Sequence, residues 1–243
     1  MRRALVVIVA SVVMSLVSLP CSANGADNGL TKAQAALLRA SDFSGGWMQQ
    51  GSASASKGEG NIAPYTAVID SCIGRTSPTK DLVQSAALSP TFTFKVTRQV
   101  NGSATLVGGY YVREIIDVWP TDKDASSEFK AISSPAIPSC AAALLAGSAK
   151  QQLEGNGTTV GKITVTPTNG RMLVAHSSGL TFSFSQSNGG GTIDVHQTVI
   201  SMVRGRTEKL LYLLSIGASF VKPPVTFPDQ VARHLGGITE IRS

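Results

Sequence analysis

Histidine is the residue type in this sequence that would most directly supply a catalytic base or a metal ligand, and the chain has three. They are His176, His196 and His234. Their separations match no metal-ligand pattern, and only His176 and His196 could come together through the fold. A histidine outside such a pattern is more often a surface or internally hydrogen-bonded side chain than a functional one. The sequence therefore predicts no metal site and no catalytic residue.

Two further patterns associated with chemistry do not have the required residues. Gly155–Lys162 superficially resembles a phosphate-binding loop, but that motif requires glycine at Asn156 and serine or threonine at Ile163. The chain also lacks the Gly-x-Ser-x-Gly turn of α/β-hydrolases. We consequently expect neither an enzyme nor a cofactor.

The N-terminus has the features of an export signal. Met1-Arg2-Arg3 is cationic, Ala4–Leu19 is a 16-residue apolar run, and Cys21-Ser22-Ala23 has small residues at the −3 and −1 positions of a cleavage site. We expect residues 1–23 to be a signal peptide and the mature chain to be secreted or to lie on the extracellular side of the cell envelope. Contact with a membrane would require one of two alternatives: an uncleaved anchor, for which the run is short, or lipidation of Cys21, where Pro20 is an unusual preceding residue.

Removal of the signal would leave Cys72 and Cys140, an even pair in an oxidising compartment. We therefore expect a disulfide between them. The two positions are 68 residues apart, so the chain-entropy model gives about 4 kcal/mol of stabilisation. The alternative, a catalytic thiol, would need a neighbouring base that the sequence does not show.

The charge of the chain argues against nucleic acid as a partner. The formal net charge is +6, which falls to +4 without Arg2 and Arg3. The remaining surplus is scattered, with only Arg204, Arg206 and Lys209 close together. Proteins that bind nucleic acid concentrate basic residues on one face among aromatic side chains. We expect no nucleic acid partner.

A strand signal at Tyr110–Trp119 is central to the predicted architecture. It is dense in aromatic and β-branched residues, and apolar residues lie on both of its faces, which is typical of a central strand. Gly108-Gly109 predicts a bulge or a break before it. Helices are predicted after it at Asp122–Ser133 and roughly Ser139–Leu153. The apolar run Leu210–Leu214 predicts a second central strand.

The other segments complete an α+β domain. A capping box at Thr31 predicts a short helix to Ala40, and Thr79–Ala87 and Asp229–Leu235 are predicted helical. Alternating or turn-bounded runs predict the remaining strands at Thr91–Thr97, Ile163–Pro167, Arg171–His176, Leu180–Ser185, Thr192–Val203 and Lys209–Ser219. We predict one domain over residues 24–243, with its core at about 30–240: a twisted antiparallel sheet with helices packed on it and one disulfide.

Two adjacent residues of opposite charge lie inside the predicted central strand. Glu114 shares a face with Val112, and Arg113 shares the other with Tyr111 and Trp119. Either each charge pairs with a neighbouring strand, or they are the polar groups of a mostly apolar ligand pocket. In the pocket, Trp119 would provide a stacking surface and Arg113 would bind a carboxylate or phosphate headgroup. The candidate ligand-binding residues are therefore Tyr111, Arg113 and Trp119.

Short features spread along the chain resemble a known family. They occur in the order Leu37–Trp47 (LLRASDFSGGW), Cys72, Val118-Trp119, Asp124-Ala125 and Cys140. This order is similar to that of exported actinobacterial proteins, some of them lipoproteins, related to the extracellular sensor domain of the receptor kinase PknH. The resemblance, over about residues 30–240, implies a disulfide-tied antiparallel sheet with helices and a cleft for an unknown ligand. Sensor domains of the family usually carry two disulfides, whereas one pair is available here.

Three classes of function remain open on the sequence. The first is an exported, non-enzymatic module that binds an unknown small or lipidic ligand of the envelope, as the resemblance implies. The second is a hydrolase of envelope substrates, with His176 or His196 as base. The third is a structural or interaction protein of the cell envelope.

Overall fold

A computed structural model describes residues 28–43, 45–57, 64–76, 82–100, 103–149, 154, 158–168, 177–188 and 190–218. The expected signal peptide, the predicted strand Arg171–His176 and the predicted helix Asp229–Leu235 lie outside these residues. The helices are α1 (Asn28–Ala36), α2 (Pro64–Cys72), α3 (Asp122–Ile132) and α4 (Ile137–Leu144). The strands are β1 (Trp47–Gln50), β2 (Ser54–Lys57), β3 (Ser85–Leu88), β4 (Thr91–Val100), β5 (Ser103–Val118), β6 (Thr159–Val160), β7 (Thr164–Pro167), β8 (Ser177–Asn188), β9 (Gly191–Arg204) and β10 (Thr207–Ala218).

The described strands form one antiparallel sheet in the order β1-β4-β5-β10-β9-β8-β6. β3 pairs with β2 and with the end of β5, and β7 pairs with β8. β5 and β10 are the middle strands, paired from Val118–Thr207 to Gly108–Gly217. Both strands predicted to be central are therefore confirmed, as is the α+β fold class.

Alternation along β5 directs side chains to two covered faces of the sheet. Ile115 packs with residues of α2 and α4, including Ile69 and Ile137; we call this the disulfide face. Val112 and Ile116 point the other way, under α1 and the segment after it; we call this the N-terminal face. Because both faces are buried, β5 needs apolar residues at successive positions.

The disulfide links two helices on one face of the sheet. Cys72 is the last residue of α2, and Cys140 lies in α4, with 5.7 Å between their Cα atoms. The disulfide predicted from the even number of cysteines and from export is confirmed. It ties α2 and α4 together above the core that contains Ile69, Ile137 and Ala141.

Local capping accounts for the two helices after β5. The side chain of Thr121 accepts a hydrogen bond from the backbone N–H of Asp124, and the first turn of α3 is acidic, which favours a helix N-terminus. Helix α3 therefore begins at Asp122 as predicted. Helix α4 begins earlier than predicted, at Ile137, with Pro138 in its first turn. It ends at Leu144, before a π-helical turn at Leu145–Ala149.

Two helix predictions in the first half of the chain are corrected. Helix α1 begins at Asn28, so Thr31 lies inside it rather than at its N-cap. The helix predicted at Thr79–Ala87 is wrong at its end, since Leu82 is helical but β3 starts at Ser85; residues 79–81 lie outside the described part of the chain. Ala86 and Ala87 are completely buried between β2 and β5. Strand pairing in this crowded place overrides the helix propensity of alanine.

A bulge interrupts the pairing of β4 with β5 where the sequence predicts one. Val96 pairs with Gly108, but the next residue, Thr97, pairs with Leu106. Gly108 also lies close to β10: a Cβ atom at this position would be 2.4 Å from the carbonyl oxygen of Ile216. Glycine is required here because the two backbones approach so closely.

Candidate functional site

The structure divides the three predicted ligand-binding residues between two places. Tyr111 and Arg113 are neighbours on the disulfide face of β5, opposite Leu214 and Tyr212 of β10. Trp119 follows the end of the strand, six residues beyond Arg113, which is about 20 Å along an extended chain. Ligand binding at these residues stays a prediction, and one small ligand would contact Tyr111 and Arg113 without Trp119.

Arg113 is partly buried on a largely apolar part of the sheet. It lies between Tyr111 and Ile115 along β5 and opposite Tyr212. Its Nε is buried and donates no hydrogen bond within the described part of the chain. Burial lowers the pKa of the guanidinium, although arginine stays charged at physiological pH. A carboxylate or phosphate would supply the acceptor that this donor needs.

Tyr111 forms an apolar wall beside Arg113. Its ring packs against Val195 and Leu214 and is joined by Phe184, Ile193 and Ile216. Burial raises the pKa of the Tyr111 hydroxyl, which therefore stays neutral. An apolar wall next to a polar anchor is the usual composition of a site for an amphipathic ligand.

Trp119 fills the core at the far end of the strand. The residue is 2% exposed and packs against Val83, Ala125 and Val203. Its Nε1 donates a 3.2 Å hydrogen bond to Oε2 of Glu208. The indole therefore joins α3 to the strand ends and presents no open surface on which a ligand could stack.

A group of buried carboxyls lies at this same corner, and the sequence did not predict it. Asp117 of β5 and Glu208 of β10 are direct cross-strand partners and are 5% and 1% exposed. Glu128 of α3 is buried nearby and forms an ion pair with Arg75, which also contacts Asp70 at 3.3 Å. Oδ1 of Asp117 has no hydrogen-bond partner among the described residues. Like charges in such a place oppose folding unless protons neutralise them.

Burial dominates the electrostatics of these carboxyls. It raises the pKa of Asp117 to about 7, with a further contribution from the charge of Glu128. Burial and the charges of Asp117 and Glu128 raise the pKa of Glu208 to about 8, against the opposing effect of hydrogen bonds from Ser201 and Trp119. Burial also raises the pKa of Glu128, although Arg75 favours its ionised form.

Glu114, the residue next to Arg113 in β5, takes part in the packing of the N-terminal face. Its carboxyl is buried on the N-terminal face, where Oε2 accepts a 2.8 Å hydrogen bond from the backbone N–H of Leu38. Phe43 stacks on Phe92 of β4 at 4.2 Å between ring centroids. Part of the segment Leu37–Trp47, which carries the family resemblance, thus holds the chain after α1 on the sheet.

His196 is the histidine that the structure describes, since His176 and His234 lie outside the described residues. Its Nδ1 is 2.9 Å from Oγ of Ser183, its cross-strand partner. The pair is one of four adjacent polar pairs on the β8–β9 hairpin, the others being Thr181–Thr198, Ser185–Asp194 and Ser187–Thr192. Ser183 is also paired with Thr164 of β7, so β8 has a neighbouring strand on each side. The backbone N–H groups near Ser183 face those strands and not the Ser183 hydroxyl.

Within the described ranges, no group of three or more His, Cys, Asp or Glu side chains is placed to hold a metal ion. No single helix among the described residues is long and apolar enough to cross a membrane; only the pair Asp122–Ile132 and Ile137–Gly147, bent by 71°, reaches that length and composition.

Comparison with known proteins yields distant structural likenesses. No family model and no curated protein matches the sequence. The extracellular domain of PknH from Mycobacterium tuberculosis aligns with a TM-score of 0.39 and 10% identity, covering 87% of this chain and 96% of that domain. LpqN, involved in cell envelope biogenesis of Mycobacterium tuberculosis, aligns with 0.34 and 10%, covering 60% and 68%. An Rv0999 ortholog from Mycobacterium smegmatis aligns with 0.37 and 9%, covering 84% and 93%. Similarity at this level does not support an inference about function, so the function is inferred from the geometry of the chain itself.

Proposed function

We propose that this chain is an exported, non-enzymatic module of the cell envelope that binds a small or lipidic ligand through an anionic group at Arg113. The observation that carries the proposal is the buried Nε of Arg113, which lacks an acceptor within the described residues. A buried donor left without an acceptor costs about 1–3 kcal/mol. A bound anion would recover that free energy, whereas the apolar neighbours would bind the rest of the ligand.

Export is supported by two independent features of the chain. The first is the cationic start, apolar run and small-residue site of residues 1–23. The second is the disulfide Cys72–Cys140, because structural disulfides persist mainly in oxidising compartments.

The chemistry around Arg113 favours an amphipathic acid. The guanidinium offers a fork of donors that matches a carboxylate or a phosphate. Tyr111 and its partners Val195 and Leu214 would pack against an acyl chain or a similar apolar group. A fully polar anion would use Arg113 but leave that wall without a contact.

Mass spectrometry of the native protein, purified from an exporting actinobacterial host, would show any ligand it carries. The same spectrum identifies the N-terminal residue, with Asn24 expected. Binding is then measured with hexadecanoic acid and, as a matched neutral probe, hexadecanol. We expect the acid to raise the thermal unfolding midpoint, since a ligand at a hundred times its Kd stabilises the fold by about 2.7 kcal/mol.

The decisive variant is Arg113→Gln, which removes the charge but keeps a side chain of similar length. We expect it to fold and to lose the effect of the acid. The exposed Arg98 of β4 provides the matched control, because Arg98→Gln removes the same charge away from the site. Equal binding by wild type and Arg113→Gln would place the ligand elsewhere.

The Ser183–His196 pair gives the hydrolase alternative a specific test. A Ser–His pair at 2.9 Å can form a nucleophile and base. Its place in a row of hydrogen-bonded pairs favours a structural role. Labelling with a fluorophosphonate that is lost in Ser183→Ala would establish the enzyme; absence of labelling in the wild type would leave the binding module.

A further inference from the structure

We propose that Asp117 and Glu208 form a pH-sensitive latch: when the pair is protonated, α3 and Trp119 close over the ends of β5 and β10, and when it is ionised, this corner opens. The two carboxyls sit opposite each other on adjacent strands, with Cα atoms about 4.5–5.5 Å apart. Trp119 covers them through its hydrogen bond to Glu208. The state of the latch is therefore a property of one buried pair.

Acidic groups outnumber basic groups around the pair. Glu128 faces it from α3, and Asp70 and Arg75 face it from α2 and the turn that follows. β9 contributes the Ser201 hydroxyl, which donates a 2.7 Å hydrogen bond to Glu208, and β3 contributes the uncharged Ala86. Among the described residues at this corner, the one cation therefore faces four carboxyls.

The other nearby charges lie on the opposite face of the sheet, bind another residue or are exposed to solvent. Lys209 pairs with Ile116 and so lies on the N-terminal face. The guanidinium of Arg206 donates a hydrogen bond to Gln84. The remaining charges on α3 and at the end of β9 are exposed: Asp122, Lys123, Asp124, Lys130 and Arg204. Since Arg75 already contacts Asp70 and Glu128, protons are the means by which Asp117 and Glu208 are neutralised.

The direction of the pH effect follows from these positions. A carboxyl in an unfolded chain ionises near pH 4, whereas the folded pKa is about 7 for Asp117 and about 8 for Glu208. Between these values the folded protein holds protons that the unfolded chain has released. Each group then raises the unfolding equilibrium constant by up to about tenfold per pH unit. The contribution of this pair to the stability of the fold is fully present below about pH 4 and is lost as the pH rises through 7 and 8.

Opening should be local because the pair holds one helix. Helix α3 meets the strand ends through Ala125 and Trp119, whereas α4 is tied to α2 by the disulfide. Two ionised carboxylates under Trp119 would draw in water, since unpaired buried charge is unfavourable. Helix α3 would separate from the sheet while α4 stays in place.

Trp119 itself provides a local readout. The chain has two tryptophans, so the variant Trp47→Phe leaves Trp119 as the reporter. We expect its emission to shift to longer wavelength, and amide protection in α3 to fall, as the pH rises through 7 and 8. Protection in α4, corrected for intrinsic exchange, should stay constant. Equal losses in the two helices would overturn the local latch.

Neutral isosteres test the two carboxyls directly. The double variant Asp117→Asn/Glu208→Gln should abolish most of the pH dependence and keep Trp119 buried at pH 9. The control Asp122→Asn removes an exposed carboxyl from α3 and should keep the pH slope of the wild type. An unchanged pH slope in the double variant would overturn the proposal, as would wild-type stability that stays level or rises from pH 5 to 8. If the double variant does not fold, carboxyl carbon-13 titration of the wild type decides: both groups ionised at pH 5 would overturn the latch.

Discussion

The backbone N–H of Leu38 donates a 2.8 Å hydrogen bond to Oε2 of Glu114, which is 76 positions away in sequence and completely buried. The carboxylate lies in the middle of β5, so this contact fixes the segment after α1 on the sheet.

Removing that acceptor should destabilise the protein. In Glu114→Ala the N–H of Leu38 is left buried without its partner, and we expect the free energy of unfolding to fall by about 1–3 kcal/mol. Glu114→Gln keeps an oxygen acceptor and should lose less. Urea unfolding of the three proteins measures the difference, and equal midpoints for wild type and Glu114→Ala would contradict this role.

Arg75 should be essential to the attachment of α3 to the turn that follows α2. Its guanidinium is 15% exposed and contacts the carboxylates of Asp70 and Glu128. Replacing it by Gln leaves those carboxylates without their cation, and we expect a loss of about 3 kcal/mol. Because burial raises the pKa of Glu128, more of its carboxyl is ionised as the pH rises, and we expect the loss to grow in the same direction. A loss that is independent of pH would show that packing, not charge, is responsible.

The disulfide should contribute substantially to stability. The double variant Cys72→Ala/Cys140→Ala should lower the free energy of unfolding by about 4 kcal/mol, since the bridge closes a long loop. In the mature oxidised protein, thiol labelling should find no free cysteine without reductant and two after reduction. Labelling of both cysteines before reduction would contradict the pairing in solution.

Gly108 should not tolerate a side chain. In Gly108→Ala the new Cβ would lie 2.4 Å from the carbonyl oxygen of Ile216, which forces β5 and β10 apart. We expect a loss of about 1–3 kcal/mol in the free energy of unfolding. Gly147→Ala is the matched control, because a Cβ there has no atom within 4 Å. If chemical denaturation shows the same small effect for Gly108→Ala and Gly147→Ala, β5 and β10 do not approach each other closely at Gly108.

Local sequence patterns predicted the features that depend on alternation along a strand or on an even number of cysteines. The alternation in β5 correctly placed Val112 and Glu114 on one face and Arg113 on the other, and the paired cysteines predicted the disulfide. The end of the helix expected at Thr79–Ala87 was wrong because the alanines of β3 owe their conformation to β2 and β5. Propensity gives way where neighbouring strands supply the hydrogen bonds.

The carboxyl pair shows what local patterns cannot provide. Asp117 occupies a position that shares a face with Ile115, so its burial could have been inferred. Its partner Glu208 could not, because their contact depends on the register of β5 with β10. Conversely, alternation puts Trp119 on the same face as Arg113, but the two are about 20 Å apart along the chain. Alternation specifies a face of the sheet and not a distance.

The position of β10 has a consequence for the order in which the chain folds. β10 is the last strand described, yet it lies between β5 and β9, and its pairing with β5 begins with Val118 and Thr207, 89 positions apart. A chain delivered from its N-terminus keeps one edge of β5 open until residue 218 has emerged. Such late, long-range pairing makes folding slow. For a protein that we propose to be exported, this delay would keep the chain unfolded while it crosses a membrane and complete the sheet on the far side.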